Sequence, residues 1–213
     1  MAGLTTEQRV RRAAIKLFAA KGFHGTGIRD LAQAAGLSSA SLYHYMGTKE
    51  ELLAELMRES LDRLLTTATT AVSGVDSPVE RLGRLVVLHV LTHAAQPNET
   101  RVVDHEVRAL SASARREVVR LRDDYERLWA DAIADGIRAG EFTSPEPSLA
   151  RLALLEMCNG VARWYSPRGP LGLDELATNY AQMAMRLVGG PEQALPSFEY
   201  CRDLVSKTWN RRR

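Results

Sequence analysis

Three short stretches, Thr5-x-x-Gln8, Thr48-x-x-Glu51 and Ser77-Pro78-Val79-Glu80, constrain this chain more than anything else in it. Each sets a hydroxyl three residues ahead of a side chain able to reach back, the reciprocal arrangement that satisfies free N–H groups where a helix starts. Proline in the third adds a ring already held at a helical φ. Apolar residues at helical period follow. Val10, Ala13, Ala14, Leu17 and Phe18 form one stripe, and Leu52, Leu53, Leu56, Leu61, Leu64 and Leu65 form another that runs to about Val72. Glycine after Lys21, Ala35 and Ala139 marks helix ends.

The same signals predict helices from Ile28 to Ala35, Ser38 to Tyr45, Ser77 to the Gln96-Pro97-Asn98 break, Thr100 to Leu110, Ser113 to Ala139, Leu149 to Tyr165 and Leu173 to Val188. The tail is expected to add a short helix from Ser197 to Trp209, and Arg211–Arg213 form a basic end. No alternating strand, internal repeat or low-complexity segment interrupts them, so the fold class is all-α. Two helices are apolar around too much of their circumference, through Leu152, Leu155, Met157, Cys158 and Val161 in one and Leu176, Tyr180, Ala181, Ala184 and Leu187 in the other. Burial on both sides is then required, and a second copy of the chain is expected to supply it through a four-helix interface, a central core helix that needs no partner being the alternative. Leu152, Leu155, Tyr180, Ala181, Ala184 and Leu187 are the expected interface residues.

Ile28–Ala35, the Gly36-Leu37 turn and the helix from Ser38 form a helix-turn-helix, whose second helix enters the DNA major groove. Small hydroxyls near its start permit close approach to base edges, and the rings of Tyr43, His44 and Tyr45 reach flanking phosphates. Charge agrees. The net formal charge is only +2, but residues 1–50 hold seven Lys or Arg against three acids, while the remaining chain holds 21 against 23. A basic block of this kind favours a polyanion.

The stretch GTGIRDLAQAAGLSSASLYHYMGTKEELL, preceded by KLFAAKGFHG, resembles the TetR family of bacterial transcriptional regulators. The matching residues are Leu17-Phe18, Gly22-Phe23, Thr26, Ile28-Arg29-Asp30-Leu31-Ala32, Ala35-Gly36-Leu37-Ser38, Leu42-Tyr43 and Lys49-Glu50-Glu51-Leu52. The resemblance covers about residues 5–60. It implies a three-helix DNA-binding unit and a larger helical regulatory domain that dimerises through its last two helices. It also implies that Thr26, Gly27 and Arg29 meet the DNA backbone or nearby bases, that Ser38, Ser39 and Ala40 face the groove, and that Tyr43, His44, Tyr45 and Lys49 hold phosphates. Gly27 stands where the family has a second hydroxyl, and Tyr45-Met46 stands where it has His-Phe.

Enzymatic and cofactor chemistry finds little support. GFHGTG has its glycines in the wrong order for a dinucleotide loop and follows no strand. His89 and His93 share a helical face, but without a glutamate between them the pair reads as pocket lining or surface rather than as a metal site. No cofactor is expected. Tyr125 and Trp129 are candidate walls of an apolar effector pocket, with His89 and His93 as polar points. Arg163-Trp164-Tyr165-Ser166-Pro167-Arg168 resembles a turn in a TetR subgroup that includes acyl-CoA-responsive repressors of steroid-ring catabolism. There Arg163, Trp164 and Arg168 would clamp a CoA head, and packing of Trp164 in the dimer is the alternative.

These expectations describe a ligand-responsive repressor with a helix-turn-helix domain at 1–50, an effector and dimerisation domain at 51–190, and an extension at 191–213. Its partners would be operator DNA, a small apolar effector and a second copy. A helical dimeric carrier or interaction module without specific DNA binding is the other class. No run of apolar residues is long enough to span a membrane, and the N-terminus lacks a signal core, so a cytoplasmic location is expected.

Overall fold

The computed structural model describes residues 4–191 and 198–209. Its helices are α1 (Thr6–Lys21), α2 (Ile28–Ala35), α3 (Ser39–Met46), α4 (Lys49–Val72), α5 (Pro78–Ala95), α6 (Pro97–His105), α7 (Ala112–Arg138), α8 (Pro147–Asn159), α9 (Val161–Trp164), α10 (Leu173–Leu187) and α11 (Glu199–Trp209), with a 3-10 turn at Val107–Ala109. No strand occurs among the described residues. None of their helices is long and apolar enough to cross a membrane. Arg211–Arg213 and Ser197 lie outside the described residues.

Packing divides the described chain into two units. One takes the residues up to Asp62 together with Asn98–Arg122, and the other takes Arg63–Pro97 together with the chain from Asp123 onward. Sequence alone places boundaries at 50 and 190, whereas packing assigns α6 and the start of α7 to the N-terminal helices.

In the first unit the reciprocal caps form as their residues dictate. Gln8 N–H donates to the Thr5 hydroxyl at 3.2 Å while Thr5 N–H donates to the Gln8 side chain at 2.9 Å. Thr48 and Glu51 repeat the pattern at 2.7 and 3.1 Å. Val10, Ala14, Phe18, Leu31, Leu42 and Met46 turn inward, and Phe18 meets Phe23 with ring centroids 5.5 Å apart. Gly36 ends α2 in the left-handed conformation at φ 69°, where a β-carbon would be strained. Residues 98–122 are fastened to these helices by polar ties. Arg101 donates to the Ala19 carbonyl at 3.2 Å, Ser111 N–H donates to Glu50 at 2.7 Å, and Arg58 pairs with Glu117 at 2.9 Å.

The second unit is built around α5, which is buried on every side from Leu85 to Ala94. Helices α8, α9, α10 and α11 pack against it. Within that core His89 joins three helices. Its Nε2 lies 2.9 Å from the Asn159 side-chain oxygen and its Nδ1 lies 2.9 Å from the Tyr125 hydroxyl. An amide oxygen only accepts, so Nε2 carries the proton and Tyr125 donates to Nδ1. His93 stacks on His89 with centroids 3.9 Å apart and donates from Nδ1 to the His89 carbonyl at 3.0 Å. Trp129 stands edge-on to His89 at 5.7 Å.

Three helical expectations change at their ends. Pro97 opens α6 instead of closing α5's surroundings, because its missing N–H is harmless at the first helical position. The helix expected from Thr100 to Leu110 therefore begins earlier and yields to the 3-10 turn after His105. The apolar helix expected from Leu149 to Tyr165 is interrupted at Gly160, leaving α8 and the single turn of α9.

Burial and the neighbouring His93, in that order, hold His89 well below the ordinary imidazole value of 6.5, against the opposing pull of its bond to Asn159. A base kept neutral in the fold takes its proton only in the unfolded chain. Its contribution to stability is therefore complete above 6.5 and declines as pH falls below that value. Thermal unfolding followed from about pH 7.5 to pH 5 should show the midpoint falling, and falling less in His89→Gln, which retains a donor and an acceptor. Parallel curves for the two proteins would show that this imidazole is not buried neutral.

Candidate functional site

Helix α3 owes its orientation to Leu42 and Met46, four residues apart and both buried. Their burial turns Ala40, Tyr43 and His44 outward on one face, with Tyr45 beside them, all exposed. Tyr43 is 52% and Tyr45 45% exposed. Two large rings left in water on a two-turn helix have no role in the core.

The hydroxyls are less free than their number suggests. The Ser38 oxygen caps α3 by accepting from Ser41 N–H at 3.1 Å, and the two hydroxyls lie 2.9 Å apart. Ser39 is half-buried at the edge of the outward face. Ser38 thus serves the helix start, and the outward face is chiefly aromatic.

Thr26 and Lys49 are both engaged within the fold. Thr26 is only 1% exposed, and its hydroxyl donates to the Gly22 carbonyl at 2.8 Å, so it closes the α1–α2 turn. The Lys49 ammonium donates to the carbonyls of Phe23 at 2.9 Å and Thr26 at 2.8 Å and lies 4.2 Å from the centroid of the Phe23 ring. A strongly hydrated cation takes such a position only where carbonyls replace its water, and two of its three N–H groups are so engaged. Its role in the fold is to tie α4 to the turn before α2.

Gly27 and Arg29 remain exposed at the start of α2. Gly27 N–H donates to Asp30 at 3.2 Å, and Lys21 pairs with the same carboxylate at 3.4 Å. That backbone bond first, and Lys21 second, hold the Asp30 carboxyl below its usual range. One residue escaped the sequence reading. A β-carbon on Gly36 would lie 3.5 Å from the guanidinium of Arg9, so α1 sets an exposed cation beside the helix-turn-helix turn. The excess of basic residues in the first fifty was the signal for it.

The expected ligand residues separate into two sets. His89, His93, Tyr125 and Trp129 come together as the buried cluster of the second unit. Arg163, Trp164 and Arg168 are exposed, with Trp164 53% so. The expected interface residues divide likewise. Leu155, Tyr180, Ala181 and Ala184 belong to the protomer's own core, because α8 and α10 already spend that face on their neighbours. Leu152 and Leu187 stay exposed, joined by Leu149 and Met183. No cluster of three or more potential metal ligands occurs among the described residues.

Comparison with known proteins agrees with this geometry. Residues 10–56 match the family model for bacterial regulatory proteins of the tetR family, and residues 75–188 match that for a tetracyclin repressor-like C-terminal domain. The HTH-type transcriptional repressor KstR2 of Rhodococcus jostii is 32% identical over 181 residues, covering 84% of this chain and 88% of that protein. The solved structure of the ketosteroid transcriptional regulator KstR2 of Mycobacterium tuberculosis superposes with a TM-score of 0.80 at 26% identity, covering 90% of this chain and 98% of that one. A crystal structure of AibR in complex with isovaleryl coenzyme A and operator DNA shares the fold, with a TM-score of 0.76 at 23% identity over 88% of this chain and 100% of that one. The chain belongs to the TetR family of transcriptional regulators, which are not enzymes.

Proposed function

We propose that this protein represses transcription by binding a pseudo-palindromic operator as a homodimer and leaves the operator when a small apolar effector binds. The observation that carries this reading is the outward face of α3, whose exposed Tyr43, His44 and Tyr45 serve nothing in the fold. Ser39 and Ala40, nearer the start of the helix, approach base edges, and the three rings meet phosphates farther along. Ser38 positions that helix by capping it. Arg29 and Gly27 on α2, with Arg9 on α1, line the flanking backbone. Acting on chromosomal DNA places the protein in the cytoplasm.

Dimerisation proceeds through the apolar residues that α8 and α10 leave in water. Leu149, Leu152, Met183 and Leu187 form a surface that an isologous partner covers with its own copy, and the two-fold axis sets the operator's symmetry. The effector's apolar body is recognised beside His89, His93, Tyr125 and Trp129, where burial keeps the imidazole of His89 neutral. Neutral walls suit an uncharged group. The exposed guanidinium groups of Arg163 and Arg168, with Trp164, suit the phosphates and adenine of an acyl-CoA head. One KstR2 relative is named a transcriptional repressor and the other a ketosteroid transcriptional regulator, which supports a repressor that responds to a lipid-like effector.

Selection of bound sequences from random duplexes tests the operator reading, and recovery of a two-fold symmetric sequence is the expected result. On that duplex, Arg29→Ala should lower the salt dependence of binding by about one unit and weaken all sequences alike. Ser39→Ala should instead alter preference by about 1–3 kcal/mol at a base pair. Lys49→Ala should lower the thermal midpoint while leaving the salt slope unchanged, and a slope reduced without loss of stability would return Lys49 to the phosphate backbone.

Leu152→Glu should convert the dimer to a folded monomer in sedimentation, since a carboxylate would enter a dry interface. Ala181→Glu should unfold the protomer, because Ala181 lies in its core. A dimer that survives Leu152→Glu would move the interface elsewhere.

A further inference from the structure

Helix α11 lies beyond residue 188, where the matched C-terminal family span ends. It has 11 residues. Helices shorter than roughly 12–15 residues are marginal alone in water, so packing creates it. Cys201 and Val205 are its buried side chains, and the Cys201 thiol donates to the Arg84 carbonyl of α5 at 3.8 Å. Near its start, Tyr200 has the Arg84 guanidinium 5.4 Å from its ring centroid. That guanidinium also holds the last turn of α4, donating to the Ala71 carbonyl at 2.7 Å, and it pairs with Glu80 at 2.5 Å. Arg202 adds an ion pair to Asp174 of α10 at 2.6 Å.

The other end of α11 grips α4 directly. The Arg63 guanidinium lies 4.6 Å from the centroid of the Trp209 ring, and the hydroxyls of Thr67 and Thr208 are 3.3 Å apart. Arg63 and Thr67 are one turn apart on one face of α4. Arg63 is also the first residue past the point where the packing division cuts that helix, after Asp62. The tail therefore holds α4 just past Asp62, through Trp209 against Arg63 and Thr208 against Thr67.

We infer that α11 is a brace that presets helix α4 for operator binding, with Trp209 and Thr208 as its positioning residues. A helix already held loses less freedom when the DNA-binding unit engages a duplex, and that saving appears as affinity. Cys201 takes no part through its sulfur chemistry, since burial pushes its thiol up to about 11. The inference rests on the DNA-binding reading above.

The test uses the full chain and the duplex that the unmodified protein enriches from a random pool. Trp209→Ala should weaken binding about tenfold with the dimer and helical content intact, while Trp209→Phe, which keeps a ring against Arg63, should bind as the unmodified chain does. Thr208→Val gives a milder weakening should the first variant fold poorly. An oxidised Thr67→Cys, Thr208→Cys pair added to Trp209→Ala should restore affinity, and reduction should remove it again. Binding by Trp209→Ala within twofold of the unmodified chain, or tighter, would overturn the brace alone, as would a disulfide that restores stability but not affinity. Enrichment of no duplex by the unmodified chain would remove the DNA-binding reading and the brace with it.

Discussion

From Leu85 onward helix α5 has no face left for water, and the rest of the second unit follows from that. A helix buried from Leu85 to Ala94 must be surrounded, so four other helices close on it. It must also settle its own polar side chains internally, because an unpaired polar group costs most in a medium of low dielectric. His89 meets this demand by giving one ring nitrogen to α7 and the other to α8. The network that satisfies the histidine thereby fixes the spacing of three helices, and a side chain that would weaken an apolar core becomes what specifies its arrangement.

Charge does comparable work in the first unit, at a smaller scale. Lys49 directs its ammonium to two carbonyls of the α1–α2 turn, and Arg101 directs its guanidinium to the carbonyl of Ala19. Ala19 lies in the last turn of α1, where a positive charge is favoured by the alignment of peptide dipoles, whereas Lys49 is held by the two turn carbonyls themselves. The effect is to leave a narrower set of groups for DNA than the count of basic residues suggests. What faces outward is the part of α3 that the fold has no use for.

Elements and their type were legible because caps and apolar period agree along most of the chain. Thr5-Gln8 and Thr48-Glu51 close reciprocally as their spacing predicts, whereas Ser77 caps α5 by accepting from Glu80 N–H while the Glu80 carboxylate turns to Arg84. Side-chain commitments were not legible. Nothing in the local sequence shows that the Thr26 hydroxyl turns back to Gly22 or that Lys49 reaches a turn 26 residues earlier. Burial on α8 and α10 was half legible for a related reason. A helix with apolar residues all round does not say which of them its own protomer covers, since that depends on packing, so Ala181 and Ala184 are buried in the core while Leu187 is exposed. The bonds of His89 were not legible because its partners, Tyr125 and Asn159, lie 36 and 70 residues away.

The bond from Ser111 N–H to Glu50 bears on how such proteins can be recombined. Ser111 stands immediately before α7, so the first turn of that helix takes its acceptor from α4 and not from a neighbour in sequence. The carboxylate is held ionised by that backbone bond above all. An exchange of reading heads between relatives, cut at the linear boundary near residue 50, would therefore divide a single capping arrangement between two parents. A graft that brings a different residue to position 50 leaves α7 without its acceptor even if every helix in both halves is intact. The natural seam for such a chimera follows packing, and residues 98–122 travel with the head.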